Sequence, residues 1–456
     1  MPQLRDYQLE DVTYLLTKDA MGLFNEQRTG KTPTALTVMQ ARGIEHLLIV
    51  CPATLLYNWY NECKRWLGIF DICIIESAKK FRENPVHGAA VYLINYENLR
   101  ETKKQESLVD VLLKEKITGL IVDEAHRCKS RKSSNFQAIE RLSYRVQYRL
   151  YLTGTPAHNK PWEVWAILHF IDPHYYRSYW KFIDKFFQTK SIPTAGRFVN
   201  VPTVFKPGMD TVLQSELDLV SCNRKRKDIM KWLPNEQEPV TIKLPLTKQQ
   251  DKYITELEEV FETEHIETQG ILDRIIRIRQ ICTDPGILQL RGKSPKTEWI
   301  KKYLKDYPEH QIVLFSNSRL YLCRLQKILL EKDYTVERIT GDVPIKDRMT
   351  AVQNFQSSKT QVLCIQTQAG KEGLTLDNAD VAIFVDTFPP AADYQQARDR
   401  IVATTPEKVK PKEIIHLMME GTYDEALYET VANNIEFTDI VNDYKNYIKR
   451  RKTHGK

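Results

Sequence analysis

The chain has no Cys-x-x-Cys pair: Cys51, Cys63, Cys73, Cys128, Cys222, Cys282, Cys323 and Cys364 stand far apart. That spacing excludes the usual structural zinc patterns, and a disulfide scaffold serves little purpose in 456 residues. The cysteines read instead as small apolar residues on strands and helices, in a reducing compartment. Long hydrophobic runs are missing as well. Those at 47–51 and 120–122 fall far short of a membrane-spanning helix. Met1-Pro2-Gln3-Leu4-Arg5-Asp6 has no apolar core behind it, which argues against a secretory leader. No short-period repeat or low-complexity segment occurs. What is present is ordinary for a folded chain, 42% hydrophobic and 27% charged, and argues against a disordered one. Lys plus Arg exceed Asp plus Glu by 66 − 59 = 7, an excess that permits a polyanionic partner without specifying one.

The length suggests about three domains. Short apolar strands are expected at 47–51, 72–76, 91–96, 119–123 and 149–153, separated by helical text at 34–40, 55–66 and 108–116. Near-continuous apolar strands alternating with helices predict a parallel sheet covered on both faces. From 173 to about 234 the text turns aromatic, basic and irregular, broken by Pro193, Pro202, Pro207 and Gly208. Helical text resumes at 247–264 and 271–283. A second strand–helix series then runs through 312–315, 335–339, 362–365 and 382–385, and closes with an amphipathic helix from Tyr423 and the basic tail Lys449-Arg450-Arg451-Lys452. The expected fold class is α/β, two parallel-sheet lobes with a helical insert: 1–172, 173–295 and 296–456.

Asn25-Glu26-Gln27-Arg28-Thr29-Gly30-Lys31-Thr32 follows a short strand at 22–24 and opens a helix. Backbone N–H groups at such a start can face phosphate, provided Gly30 allows close approach. Lys31 supplies charge for terminal phosphates and the Thr32 hydroxyl can bind Mg²⁺. Pro33 costs nothing in the first turn. The full G-x-x-x-x-G-K-[ST] spelling fails, because Asn25 replaces the first glycine. Its support comes from Asp123-Glu124-Ala125-His126 at the end of the strand 119–123. Carboxylates there sit where ligands bind in open α/β sheets. Asp123 can hold Mg²⁺ through water, and Glu124 can polarise an attacking water, which points to nucleotide hydrolysis.

With these elements in place the sequence resembles the helicase superfamily two ATPases, within them the Swi/Snf-type branch, over nearly its whole length. Leu4-Arg5-Asp6-Tyr7-Gln8 resembles L-R-x-Y-Q, and Val50-Cys51-Pro52-Ala53-Thr54 with Trp59, then Ile94-Asn95-Tyr96-Glu97, follow the family order. Asp123-Glu124-Ala125-His126-Arg127-Cys128-Lys129 is similar to D-E-x-H-R-x-K, and Leu152-Thr153-Gly154-Thr155-Pro156 with Asn159 to L-T-G-T-P-x-x-N. Arg224 and Arg226 through Leu233-Pro234 resemble the branch's basic segment, and Ser294-Pro295-Lys296 its Ser-Gly-Lys linker. Phe315-Ser316-Asn317, Gly341 with Arg348, Thr367-Gln368-Ala369-Gly370-Lys371-Glu372-Gly373 and Gln396-Ala397-Arg398-Asp399-Arg400 complete the set.

The resemblance implies RecA-like lobes and an ATP cleft between the phosphate loop and the Arg400 helix. It implies nucleotide contacts from Arg5, Gln8, Arg28, Thr29, Gly30, Lys31, Thr32 and Gly373, with Gln8 reading adenine, and catalytic roles for Lys31, Asp123, Glu124, Gln396 and Arg400. DNA backbone contacts are implied for Pro52, Ala53, Thr54, Asn95, Tyr96, Ser316, Asn317, Thr367 and Gly370, and coupling for Thr153 and Thr155. The cofactors implied are ATP and Mg²⁺. The partner is DNA, duplex or branched, with no membrane and no zinc.

Two departures stand out. Arg28 occupies a position where the branch has glycine; its side chain either points to solvent or reaches a phosphate or the facing lobe. In the last motif, Arg400 matches the first of two arginines, but Ala403 stands at the second and Thr405-Pro406 replaces Gly-Gln. Arg224 to Lys227, and Arg274, Arg277 and Arg279, read either as surface charge or as DNA contacts. The pairs Tyr175-Tyr176 and Tyr179-Trp180 read as core or as base-stacking. The expected function is ATP-dependent remodelling of branched DNA by a compact bacterial or phage-type motor in the cytoplasm. The rival readings are a duplex translocase that displaces proteins, a scaffold with a decayed ATP site and a restriction-system motor.

Overall fold

The computed structural model describes residues 3–99, 107–157, 160–194, 197–232, 238–259, 262–263, 266–267, 270–367, 374–386, 391–403, 406, 409–432 and 444. The expected Asn159, Leu233-Pro234, Gln368 to Gly373, Thr405 and the basic tail lie outside the described residues. Contacts divide the chain into two compact units, Met1–Lys231 and Trp232–Lys456. The middle segment is therefore shared: its first part packs with unit 1, the rest with unit 2.

Unit 1 carries β1 (Ala20–Leu23), β2 (Leu47–Cys51), β3 (Ile72–Ile75), β4 (Val91–Asn95), β5 (Gly119–Asp123), β6 (Tyr148–Leu152), β7 (Phe187–Thr194), β8 (Arg197–Phe205) and β9 (Ser221–Cys222). Seven of these form one sheet in the order β3-β4-β2-β5-β6-β1-β9, with parallel pairing throughout. Apolar side chains on both faces explain the continuous runs: Leu48, Val50, Leu120 and Val122 belong to one core, Leu47, Ile49, Leu93 and Ile121 to the other. The central strands are thereby removed from water on both faces, while β3 at the edge is partly exposed.

Unit 2 carries β10 (Val240–Leu244), a two-stranded ribbon β11 (Glu262–Thr263) and β12 (Ile266–Glu267), then β13 (Ile312–Ser316), β14 (Val336–Ile339), β15 (Val362–Gln366), β16 (Val381–Phe384) and β17 (Glu413–Met419). Its six-stranded sheet, β10-β17-β16-β13-β15-β14, is also parallel. The expected α/β class with two parallel-sheet lobes is thus present. In both units the motif residues follow the C-terminal ends of the strands, the edge where open parallel sheets bind ligands.

The region 173–234 is not irregular. It holds the helix Tyr179–Phe186, the antiparallel pair β7–β8 and the helix Met209–Asp218, and β9 extends the sheet beside β1. The helix expected at 247–264 stops at Glu259. Of the aromatic pairs, Tyr176 is buried but Tyr175 and Trp180 are exposed. Six cysteines are buried, while Cys73 and Cys323 are partly so.

Lys296, in the linker-like motif, is fully buried. Its ammonium donates to the Asp424 carboxylate at 2.7 Å and to the Val385 carbonyl at 2.7 Å. The pair ties the start of the helix Pro295–Asp306 to the helix Tyr423–Ala432 and the end of β16. Breaking a buried pair leaves an uncompensated charge. Lys296→Met is expected to lower stability by about 3–5 kcal/mol, read from guanidinium unfolding midpoints, and Lys296→Met/Asp424→Leu to recover most of it. An unchanged midpoint in the single variant would refute the pair's role.

Candidate nucleotide-binding site

The phosphate loop leaves β1 and enters the helix Lys31–Ala41. Gly30 caps that helix in the left-handed region, φ +78°, and a Cβ there would lie 2.2 Å from the Gln8 side-chain nitrogen. Both facts require glycine. Arg28 is left-handed too, at φ +70°, which explains why glycine suits that position and makes arginine a strained choice there.

Asn25 gains a function by not being glycine. It is buried; its amide donates to the Asp11 carboxylate at 2.7 Å and its carbonyl oxygen accepts the Arg224 backbone N–H at 2.8 Å. Arg224 returns to Asp11 through Nε at 2.6 Å and reaches Glu10 at 2.9 Å. Arg226 is buried, with its backbone N–H on Glu26 at 2.8 Å. Two of the four basic residues at 224–227 therefore frame the loop from behind. Sequence reasoning missed this clamp.

Lys31 is held by the loop itself: its ammonium donates to the carbonyls of Asn25 at 2.8 Å and Glu26 at 3.2 Å. Thr29 is buried, its hydroxyl donating to the Glu26 carbonyl and its own carbonyl accepting the Tyr7 hydroxyl at 2.8 Å. Thr32 stands half-buried in the first helical turn. Gln8 donates to the carbonyls of Thr29 and Gly30 and accepts the Arg5 backbone N–H at 2.8 Å. Its amide hydrogens are thereby committed to the loop, and any reading of adenine competes with those bonds. Gly154 closes the other side: a Cβ there would meet Gln27 at 3.1 Å and the Lys31 ammonium at 3.7 Å. These residues fit a triphosphate, with backbone donors, a lysine and glycines where a side chain would fill the space.

Asp123 ends β5. Its carboxylate accepts the Trp59 indole N–H at 2.9 Å and the Glu124 backbone N–H at 3.0 Å. Burial and the neighbouring Glu124 carboxylate push its ionisation up to about 6, against the pull of the Trp59 bond and the Lys31 charge. Glu124 adopts φ +52°, so the chain turns sharply at the strand end. His126 Nδ1 lies 3.2 Å from the Glu124 carboxylate and 3.0 Å from the Thr153 hydroxyl, which accepts the Thr155 backbone N–H at 3.1 Å. Thr153, fully buried, thus touches the group that touches Glu124.

The residues expected at DNA divide. Tyr96 is corrected: its ring is fully buried and its hydroxyl donates to the Asp123 carbonyl, so it is a strut beneath Asp123 and presents no face to a ligand. Asn95 caps its own turn through the Asn98 N–H at 2.8 Å. Pro52 is buried, Ala53 and Thr54 half-buried.

In unit 2, the buried Ser316 hydroxyl donates to Asp386, which also accepts the Asn317 N–H at 2.9 Å. Burial raises the ionisation of Asp386, partly offset by Arg279. Thr367 is buried, while Gly370 and Gly373 lie outside the described residues. Arg348 steadies its motif by donating to the carbonyls of Val343 at 2.7 Å and Gly341 at 3.1 Å. Arg274 is buried, and Arg277 pairs with Asp273 at 3.3 Å.

Gln396 and Arg400 are buried at the end of the helix Ala391–Asp399. That helix is pinned by Tyr394, whose hydroxyl meets His416 Nε2 at 2.7 Å. Burial pushes His416 down to about 3, so it is neutral in this contact. Ala403 is buried beyond the helix end; an arginine there would have to leave the core, and the two-arginine helical face does not form.

The sequence from 7 to 287 matches the SNF2-related domain family, more than half of the chain. The chain belongs to that family. Residues 295–403 match the helicase conserved C-terminal domain. Among SNF2-type relatives, the mouse (Mus musculus) SWI/SNF-related matrix-associated actin-dependent regulator of chromatin subfamily A member 1 is 27% identical over 478 residues, 96% of this chain and 43% of that protein. The Danio rerio chromodomain-helicase-DNA-binding protein 1-like is 27% identical over 476 residues, 96% of this chain and 44% of that protein. The chain spans less than half the length of these curated relatives. The Sulfolobus solfataricus SWI2/SNF2 ATPase core in complex with dsDNA aligns with a TM-score of 0.43 at 20% identity, over 97% of this chain and 93% of that one.

Two outcomes test the site. Asn25→Gly restores the usual spelling but removes both bonds of the clamp; stability should fall by about 1–3 kcal/mol in urea unfolding, and no change would discard the clamp. Trp59→Phe removes a hydrogen bond that favours the charged form of Asp123, so its ionisation moves further up. The acid limb of ATP turnover should shift to higher pH by about half a unit to one unit. A shift to lower pH would contradict the assignment.

Proposed function

We propose that this chain is a DNA-dependent ATPase that hydrolyses ATP with Mg²⁺ to move along DNA, and that it acts on branched DNA. The observation that carries the reading is the convergence of Lys31, Asp123 and Glu124 at one sheet edge, where β1 and β5 flank β6 and a Cβ on Gly154, just after β6, would lie 3.7 Å from the Lys31 ammonium. Family membership and the DNA-binding or helicase names of its relatives support it.

Lys31 binds the terminal phosphates, exchanging its two carbonyl partners for phosphate oxygens. Mg²⁺, when bound, neutralises phosphate charge, and Thr32 and Asp123 are the residues to hold it. Glu124 orients the attacking water, with His126 steadying its carboxylate. Thr153 and Thr155 transmit the state of that group onward. Arg28, Thr29 and Gly30 shape the phosphate cradle, Arg5 and Gln8 its base end. Gln396 and Arg400, in unit 2, complete the proposed catalytic set. Pro52, Ala53, Thr54, Asn95, Ser316, Asn317 and Thr367 supply backbone-directed DNA contacts, so binding should depend on salt and little on sequence. Branched DNA is favoured over plain duplex on the strength of the exposed hairpin analysed below.

The test compares ATP turnover on single-stranded, duplex, forked and four-way DNA. Lys31→Ala and Glu124→Gln should each abolish turnover and leave DNA affinity within about tenfold, since phosphate contacts dominate affinity. Persistent hydrolysis in both variants, or no stimulation of the unaltered chain by any DNA, would overturn the reading. Turnover that moves protein roadblocks while leaving forks paired would replace strand separation with protein displacement.

A further inference from the structure

β7 and β8 pair with each other and with no other strand among the described residues. A lone hairpin is marginal in water, so it depends on its footing. There Phe187 is buried, lies 4.5 Å from the Phe205 ring and meets Trp162 edge-on at 5.7 Å. The Lys206 N–H closes the base on the Phe186 carbonyl at 2.8 Å. Pro202 is still buried and Val201 half-buried, but toward the far end packing gives out. Phe198 is 78% exposed, Val199 45% and Ile192 42%.

The register sets Pro193 opposite Phe198 and Ile192 opposite Val199. Successive side chains alternate between faces, so each face of the far end carries an apolar pair. A bare apolar end on a two-stranded ribbon invites unwanted pairing and contributes nothing to the core. Charge indicates what covers it. Residues 187–205 contain Lys190 and Arg197 and no Asp or Glu, while Lys206 at the base is paired with Asp184 at 3.6 Å. A polyanion that also offers flat apolar surfaces matches both features. Nucleic acid offers such surfaces where a duplex ends and its last base pair is open to stacking.

The footing links this element to the candidate catalytic loop. Trp162 adjoins Glu163, whose carboxylate takes the Lys129 ammonium at 3.1 Å, and Lys129 follows the short helix Ala125–Cys128 that begins at Glu124. We propose that the β7–β8 hairpin is a wedge for nucleic-acid junctions. Phe198 stacks on the terminal base pair where duplex meets single strands, and Lys190 engages the flanking phosphates. Its biological setting rests on the DNA-motor reading above, but its binding chemistry is tested without turnover.

The full chain is titrated onto a DNA fork with 2-aminopurine in the last base pair, and onto a dumbbell duplex of the same sequence, both of whose ends are closed by loops. Fluorescence should rise with the unaltered chain. Phe198→Ala should abolish the rise and weaken fork binding roughly five- to hundredfold, the range of one lost stacking contact. Dumbbell binding should stay within about twofold, a difference too small for a lost stacking contact. Phe198→Trp should retain the signal, and Ile192→Ser/Val199→Ser should weaken it. Unchanged fork binding in Phe198→Ala overturns the wedge, as does an equal loss on the dumbbell. A change in sedimentation without a change on DNA also overturns it and assigns the tip to a protein surface or second copy. A fork signal that depends on Phe198 in a chain whose ATP turnover ignores DNA upholds the wedge and removes the motor.

Discussion

The buried carboxylate of Asp11 anchors the nucleotide end of unit 1. It sits on the first helix, Asp6–Leu15, and takes hydrogen bonds from Asn25 at the start of the phosphate loop and from Arg224 beside β9. A carboxylate almost wholly removed from water is tolerable only with partners, and here a guanidinium and an amide satisfy it. The same bonds fix where the loop leaves β1. Gln8, one turn earlier on that helix, grips the loop's far end at Thr29 and Gly30. The loop is therefore shaped from outside rather than by glycines alone, which accounts for a phosphate loop that omits one glycine and bears Arg28 in a left-handed conformation.

The second fixed point is the end of β5. Asp123 is braced by Trp59 from one side and supported by Tyr96 from below, while the backbone turns at Glu124. These aromatic braces keep a costly buried carboxylate aimed at the sheet edge. In unit 2 the corresponding edge is organised around Asp386 by Ser316 and Asn317. Residues that family resemblance associates with ligand contact thus also serve as internal carpentry, and for Tyr96 the internal role takes the whole side chain.

The parallel sheets were legible because strands buried on both faces leave continuous apolar runs such as Leu47-Leu48-Ile49-Val50-Cys51. The hairpin was not. A ribbon exposed on both faces carries no inward and outward alternation, and Pro193 and Pro202 read as breaks although an isolated ribbon tolerates them. The motif residues were legible as spellings, but their mutual support was not. Arg224 is joined to Asn25 and Asp11 across 199 and 213 positions by single polar contacts, which leave no periodic trace. The burial of Ala403 likewise depends on where a helix ends, which sequence locates poorly.

The middle segment also has a consequence for how the chain behaves in a crowded solution. β9 lies against β1, and β10 against β17, so each ends one side of its own unit's sheet. β9 is only two residues long, too short to template a neighbouring molecule, and β10 is partly exposed and carries Lys243. The two strands thereby act as a pair of bumpers, shielding the hydrogen-bonding rims of β1 and β17 from self-association.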